Sequence, residues 1–177
     1  METTFNMNLK NLLIAVIMLM IFSSCHPQAL ETVKSVDLEK YAGLWYEYAS
    51  FPARFQKGCT NTTAEYKLSP KGYVIVINKC TREKDRTGIE GKAFVVPNSG
   101  NAKLKVQFFW PFRGDYWILE LADDYSWAAV GNPRRNYLWI LSRTPSMDEN
   151  LYNEITSRVA AKGFDISRLQ KTSQSAN

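Results

Sequence analysis

Lys103-Leu104-Lys105-Val106-Gln107-Phe108-Phe109 is the stretch on which the reading of the fold turns. Leu104, Val106 and Phe108 hold every second position, and Lys103, Lys105 and Gln107 lie between them. Successive side chains of a β-strand point to opposite faces, so this alternation describes a strand with one face buried and one in water. An amphipathic helix would instead repeat its apolar residues every three to four positions. Working outward in both directions, similar short runs recur between turn signals. Strands are expected over Tyr41–Phe51, Thr62–Leu68, Tyr73–Cys80, Gly88–Val96, Lys103–Phe109, Tyr116–Leu121, Ser126–Gly131 and Tyr137–Ser142. In the turn Ser69-Pro70-Lys71-Gly72, Pro presets φ and Gly accepts a positive φ. Pro97-Asn98-Ser99-Gly100 closes the fourth strand in the same way. Eight strands at nearly regular spacing predict an all-β barrel or sandwich rather than a parallel sheet.

A single helix is expected after the last strand. Ser146 stands as its N-cap, with Glu149 three residues on as the partner of a capping box. Leu151, Ile155 and Val159 form one apolar stripe suited to docking on the barrel wall. Gly163 can end the helix in the left-handed region, and Phe164–Leu169 reads as a short closing strand. No internal repeat or second domain is visible.

The N-terminus reads as an export signal. Lys10 precedes the uncharged run Leu12–Phe22, followed by Ser23, Ser24 and Cys25. Eleven apolar residues are too few for a bilayer span, which takes about 20, but they suit a signal peptide over residues 1–24. A Cys after two small residues resembles a bacterial lipobox, which makes Cys25 the expected lipid-attachment site. The alternative is an ordinary signal peptide cleaved nearby, with Cys25 a free thiol. Met7 offers a second possible start. Residues 25–40 read as a polar tether and 41–177 as the folded domain. Removing Lys10 and Glu2 leaves the net charge of +5 unchanged, and no block of like charge points to nucleic acid. With Cys25 acylated, Cys59 and Cys80 remain as an even pair in an oxidising compartment and are expected to form a disulfide, the alternative being two buried thiols. The single His26, beside the proposed anchor, supports neither a metal centre nor a haem ligand nor a His-based nucleophilic relay. No cofactor is expected.

Gly43-Leu44-Trp45-Tyr46-Glu47 on the first strand resembles the Gly-x-Trp opening of the lipocalin family. Asp124-Tyr125, before the seventh strand, and Leu141-Ser142-Arg143, ending the eighth, resemble its second and third motifs. Gly91-Lys92-Ala93 and Tyr137-Leu138-Trp139-Ile140-Leu141-Ser142-Arg143 are similar to bacterial outer-membrane lipocalins related to apolipoprotein D. The resemblance implies an eight-stranded up-and-down antiparallel β-barrel with one C-terminal helix packed outside. It implies a non-enzymatic carrier of fatty acids, lysophospholipids or phospholipids, held to the periplasmic side of a Gram-negative outer membrane by its N-terminal lipid. A homodimer is compatible with it.

Strand parity sorts the barrel's two ends. The first strand begins and the eighth ends at one rim, so Trp45 and Arg143 meet there and, with Gly43, form a structural plug. The opposite rim gathers Arg54, Lys57, Arg82, Lys84, Arg86, Arg113, Arg134 and Arg135 against Glu83, Asp85 and Asp115. Such a mouth suits an anionic head group or membrane surface, or is simply a solvated loop surface. Alternation points Leu104, Val106, Phe108, Leu141, Trp139, Tyr137, Ala64, Tyr66, Gly91, Ala93 and Val95 inward. The family pattern adds Val74, Val76, Asn78 and Tyr116. The expected ligand-binding set is Ala64, Tyr66, Val76, Asn78, Ala93, Leu104, Val106, Phe108, Tyr116, Tyr137 and Trp139, with Ala64, Gly91 and Ala93 leaving volume for an acyl chain. Glu47 shares the parity of Trp45 and reads as a buried hydrogen-bond partner rather than a catalytic acid. Two other readings stand beside the carrier: an envelope structural or stress protein with a solid interior, and an isomerase using a free Cys59 or Cys80.

Overall fold

The computed structural model describes residues 29–175; the expected signal peptide and Cys25 lie outside the described residues. The elements in chain order are α1 (Leu38–Tyr41), β1 (Gly43–Ser50), β2 (Cys59–Leu68), β3 (Val74–Arg82), β4 (Asp85–Val95), β5 (Lys103–Gln107), β6 (Gly114–Leu121), β7 (Trp127–Gly131), β8 (Leu138–Ser142), α2 (Glu149–Ala161) and β9 (Gln170–Lys171). Strands β1 to β8 pair antiparallel in sequence order, and β1 closes the ring by pairing with both β2 and β8. Closure removes the exposed strand edges that an open sheet would present. The short β9 pairs with β1 at Ala49 and Ser50.

Two hydrophobic cores lie on opposite faces of the wall. Trp45, Tyr66, Val76, Ala93, Leu104, Ile118, Val130 and Leu141 belong to the core inside the barrel. Ala49, Leu119, Ala129 and Ile140 belong to the core outside it, covered by Ile155 and Val159 of α2. Two bulges let single strands serve both. Glu47 faces Leu141 but Ala49 faces Ile140, so the extra residue moves β1 from the inner set to the outer. The same shift between Ile118 and Glu120 in β6 keeps Glu120 on the outer face beside Leu119, where it pairs with Lys162 at 3.0 Å and Arg158 at 3.5 Å.

Several expectations change at the chain's ends. Residues 30–40 are not a free tether. Leu30 and Val36 are buried, Val33 N–H donates to Ile118 at 3.1 Å, and Val36 N–H donates to Gly100 at 2.8 Å. Asp37 then caps α1, accepting from Glu39 and Lys40 N–H. The N-cap of α2 is Asp148, accepting from Asn150 and Leu151 N–H, so the Ser146–Glu149 capping box does not form. A carboxylate at that point also complements the helix dipole. Phe164–Leu169 is not a strand: Phe164 is buried under the helix, Ile166–Arg168 is a 3-10 turn, and pairing begins at Gln170.

The β1 end of the barrel is closed by one side chain. The Arg143 guanidinium sits 3.8 Å from the Trp45 ring centroid. Its Nη1 donates to Leu44 at 2.8 Å, and its Nη2 donates to Lys40 at 2.7 Å and Ala42 at 3.0 Å. Its Nε reaches Tyr125 at 3.3 Å. Trp45, fully buried, donates its indole N–H to Tyr41 at 2.8 Å. Gly43 adopts φ +96°, and a Cβ there would stand 3.4 Å from the Arg143 Nη1, so glycine suits this corner on both counts. Removing Arg143 strips partners from several carbonyls and uncovers the indole. Arg143→Ala is expected to lower unfolding stability by about 3 kcal/mol, with little change in the urea m-value. Arg143→Lys restores little, because an ammonium lacks the planar fork. A loss under ~1 kcal/mol for Arg143→Ala would contradict this role.

Candidate functional site

The barrel interior runs from a plugged floor to an open mouth, and exposure rises along it. At the floor, α1 brings Tyr41 over Trp45 with ring centroids 5.0 Å apart. The register pairs Tyr66 with Gly43, and Tyr116 with Leu104 near the closed-end turn of β4–β5. The three phenols converge: Tyr116 Oη is 2.7 Å from Tyr41 Oη and 2.7 Å from Tyr66 Oη. Leu38, Val74, Ala93, Leu104 and Val106 surround them, and the enclosed space is about 10 Å³. That is close to the room one water requires.

Above the floor the lining loosens. At the floor Tyr66, Ala93 and Leu104 are buried with Val106 and Tyr116 partly so; above it Val76 is buried, and Ala64, Asn78, Phe108, Tyr137 and Trp139 are half-buried. Gly91 does not leave the open volume expected of it. A Cβ there would lie 2.6 Å from the Phe108 ring and 2.7 Å from the Gln107 carbonyl, so the Phe108 side chain already occupies that space. Tyr137 and Trp139 stack near the mouth, with centroids 5.6 Å apart and planes 4° from parallel.

A polar network braces this upper wall. Glu47 is 5% exposed and fully engaged: Ser50 Oγ donates at 2.9 Å, Thr172 Oγ1 at 2.6 Å and Gln56 Nε2 at 2.6 Å. Gln56 in turn accepts from the Trp139 indole at 3.2 Å. A buried carboxylate so satisfied holds the β1–β2 loop to β8 and the C-terminal segment. Cys59 and Cys80 are bonded with Cα atoms 5.5 Å apart, joining β2 and β3 at the mouth. Neither thiol is therefore available as a nucleophile. Bridging 21 positions of sequence, the bond stabilises by roughly 3 kcal/mol on a chain-entropy account.

The rim is aromatic as well as basic. Phe55, Phe109, Trp110 and Phe112 are 61%, 69%, 86% and 77% exposed, all on the β1–β2 and β5–β6 connections. Arg113 lies 4.4 Å from the Phe94 ring centroid, and Arg82 reaches the Phe55 carbonyl at 3.1 Å. Arg135 differs from the other mouth cations: its Nε donates to Lys162 at the C-terminus of α2 at 2.7 Å. Sequence patterning missed Tyr41, Gln56 and the exposed aromatics. Tyr41 was hidden because it sits on α1 rather than on the first strand.

Comparison with known proteins agrees with this architecture. The family model for the lipocalin-like domain matches residues 36–174. Temperature-induced lipocalin-1 of Arabidopsis thaliana is 45% identical over 155 residues, covering 82% of this chain and 83% of the relative. The outer membrane lipoprotein Blc of Escherichia coli K12 is 40% identical over 145 residues, covering 80% and 81%. Apolipoprotein D of Mus musculus is 33% identical, covering 80% and 78%. Insecticyanin from the tobacco hornworm superposes with a TM-score of 0.68 at 22% identity, over 82% of this chain and 85% of that one. At that identity the likeness speaks for the fold.

The phenol cluster carries a pH signature. Burial pushes the hydroxyls of Tyr41, Tyr66 and Tyr116 well above the ordinary phenol range. Their folded pKa values exceed the unfolded value of about 10, so the stabilisation is complete below pH ~10 and is lost as pH rises beyond it. Of the nine tyrosines, these three are expected to remain protonated at pH 11 until the chain unfolds, read by phenolate absorbance. Joint replacement by Phe should flatten the alkaline fall in stability. Titration of all nine in one step near pH 10 would contradict the assignment.

Proposed function

This chain belongs to the lipocalin family, and on that premise we propose that it carries amphipathic lipids, with the acyl chain in the barrel and the head group at the mouth. Fatty acids, lysophospholipids and phospholipids are the chemical class. The observation that carries this reading is the gradient of the lining, from a plugged floor to half-buried Phe108, Tyr137 and Trp139 beneath a basic rim. Each methylene moved from water into such a lining contributes about 0.8 kcal/mol. The pocket residues proposed are Ala64, Tyr66, Val76, Asn78, Ala93, Leu104, Val106, Phe108, Tyr116, Tyr137 and Trp139. No catalytic step is required of any of them.

The exposed Phe55, Phe109, Trp110 and Phe112 give the mouth a means of resting against a lipid surface. Aromatic rings favour the interfacial layer of a bilayer, and neighbouring Arg54, Lys57 and Arg113 favour its anionic head groups. Attachment through a lipidated Cys25 and residence at an outer membrane, facing the periplasm, complete the proposal. They rest on the lipobox-like sequence and on relatives named as outer membrane lipoproteins.

Displacement of a fluorescent fatty acid tests the reading. Lysophosphatidylglycerol and lysophosphatidylcholine are both expected to compete. Joint replacement of Arg54, Lys57 and Arg134 by Gln should weaken the anionic lipid several-fold more than the zwitterionic one, and added salt should shrink that difference. Arg135 is left intact because it caps α2. Equal losses would remove the head-group role of the mouth. Rejection of every lipid would favour a structural role in the envelope.

A further inference from the structure

The ring of strands is closed, yet the upper part of β4 keeps an open edge at the mouth. On one side β4 pairs with β3 in unbroken register from Asp85 to Ala93. On the other side β5 reaches only Lys92–Val95, because Gln107 is the last residue of β5 to pair. Beyond it the chain leaves the wall. Phe108 turns in against Gly91, and the β5–β6 connection that begins there carries the exposed Phe109, Trp110 and Phe112. Asp85–Glu90 are all exposed, and no described residue makes a backbone hydrogen bond to them on the β5 side. Every second residue of such a segment presents its N–H and C=O outward. The segment contains no Pro and no bulge, two of the devices that usually block an edge.

The side chains select what covers it. Register with β3 puts Thr87 and Ile89 on the inner face with Gly91 and Ala93, and Arg86 and Glu90 on the outer face with Lys92. When this segment pairs antiparallel with a second copy of itself about Gly88, Arg86 stands opposite Glu90 of the second copy, and Glu90 opposite its Arg86. Thr87 meets Ile89 on the inner face. Opposite charges directly across a strand pair stabilise it, and like charges do the reverse. Moving the axis to Ile89 sets Arg86 against Lys92. Moving it to Thr87 leaves Arg86 facing Gly88. The charge pattern therefore fits one register of self-pairing.

We propose that the β4 edge joins two copies of this chain into a two-fold dimer, through antiparallel pairing of Arg86–Glu90 with itself. Such a contact uses the same patch on both copies, so it closes at two and adds no more. The paired strands run in opposite directions, so the barrels extend away from the junction with their mouth ends together. The exposed aromatics of each β5–β6 connection lie close to that junction, where a second copy shields apolar surface that water otherwise meets. The inference does not depend on the ligand, and its test needs no lipid.

The experiment is sedimentation equilibrium of the chain carrying Cys25→Ala, over a wide range of concentration. The mass is expected to rise toward twice that of the monomer. Arg86→Glu and Glu90→Arg each set like charges opposite one another at both positions, and each is expected to weaken the dimer by about tenfold or more. Both residues are exposed, so the circular dichroism of the variants should match that of the parent. An equimolar mixture of the two single variants should associate more tightly than either alone, and the double variant Arg86→Glu/Glu90→Arg should recover the dimer. Amide hydrogen exchange across Asp85–Glu90 should slow as the parent is concentrated, but not in either single variant. A mass that stays monomeric, a dimer indifferent to the single reversals, or single variants that do not associate on mixing overturns the inference.

Discussion

Arg143 is the residue on which the rest of the barrel depends. One guanidinium covers the Trp45 ring and satisfies carbonyls from the α1–β1 corner and from the β6–β7 turn at Tyr125. It therefore locks the beginning of the first strand to the end of the last, where a closed sheet must be joined. With that corner fixed, β1 can pair with β2 and β8 at once, and the interior gains a floor. A lysine could carry the charge but not the fork of donors that reaches several carbonyls while lying flat on an indole.

From the floor upward, stiffness gives way to access. The lowest layer is three phenols and an indole with room for little more than a water; the upper layer is half-buried and open to solvent. What keeps the open end from fraying is a different set of interactions. The Cys59–Cys80 bond joins β2 and β3, and Glu47 ties β1, the β1–β2 loop and Thr172 into one bracket. The bulges in β1 and β6 distribute apolar residues between the calyx and the α2 face, so one thin wall supports two cores. This division suits the proposed carrier role: rigidity is concentrated at the floor, and exposed aromatics stand at the mouth through which a lipid would enter.

Much of this was legible in the residues. Period-two alternation placed Leu104, Val106, Phe108, Tyr66 and Ala93 on the inner face, and turn residues separated eight strands. The Gly43, Trp45 and Arg143 pattern brought the family into view. The failures share one cause, tertiary context acting on local signals. Residues 30–40 look polar and aperiodic, yet Leu30 and Val36 find apolar slots supplied by distant strands. Ser146 and Asp148 are both good caps, and the position at which the chain turns away from β8 selected Asp148. A bulge has no composition of its own, so the switch between Glu47 and Ala49 could not be read from alternation. Gly91 looked like free volume because its neighbour across the sheet, Phe108, is remote in sequence.

The central claim is that the calyx holds an amphipathic lipid, and native mass spectrometry tests it most directly. The protein would carry Cys25→Ala, be exported without its anchor, and be purified with no lipid added. The account predicts protein ions bearing a single co-purified lipid or lysolipid, released by mild activation and replaceable by an offered fatty acid. A barrel that emerges empty and stays empty after incubation with fatty acids and lysophospholipids would contradict it.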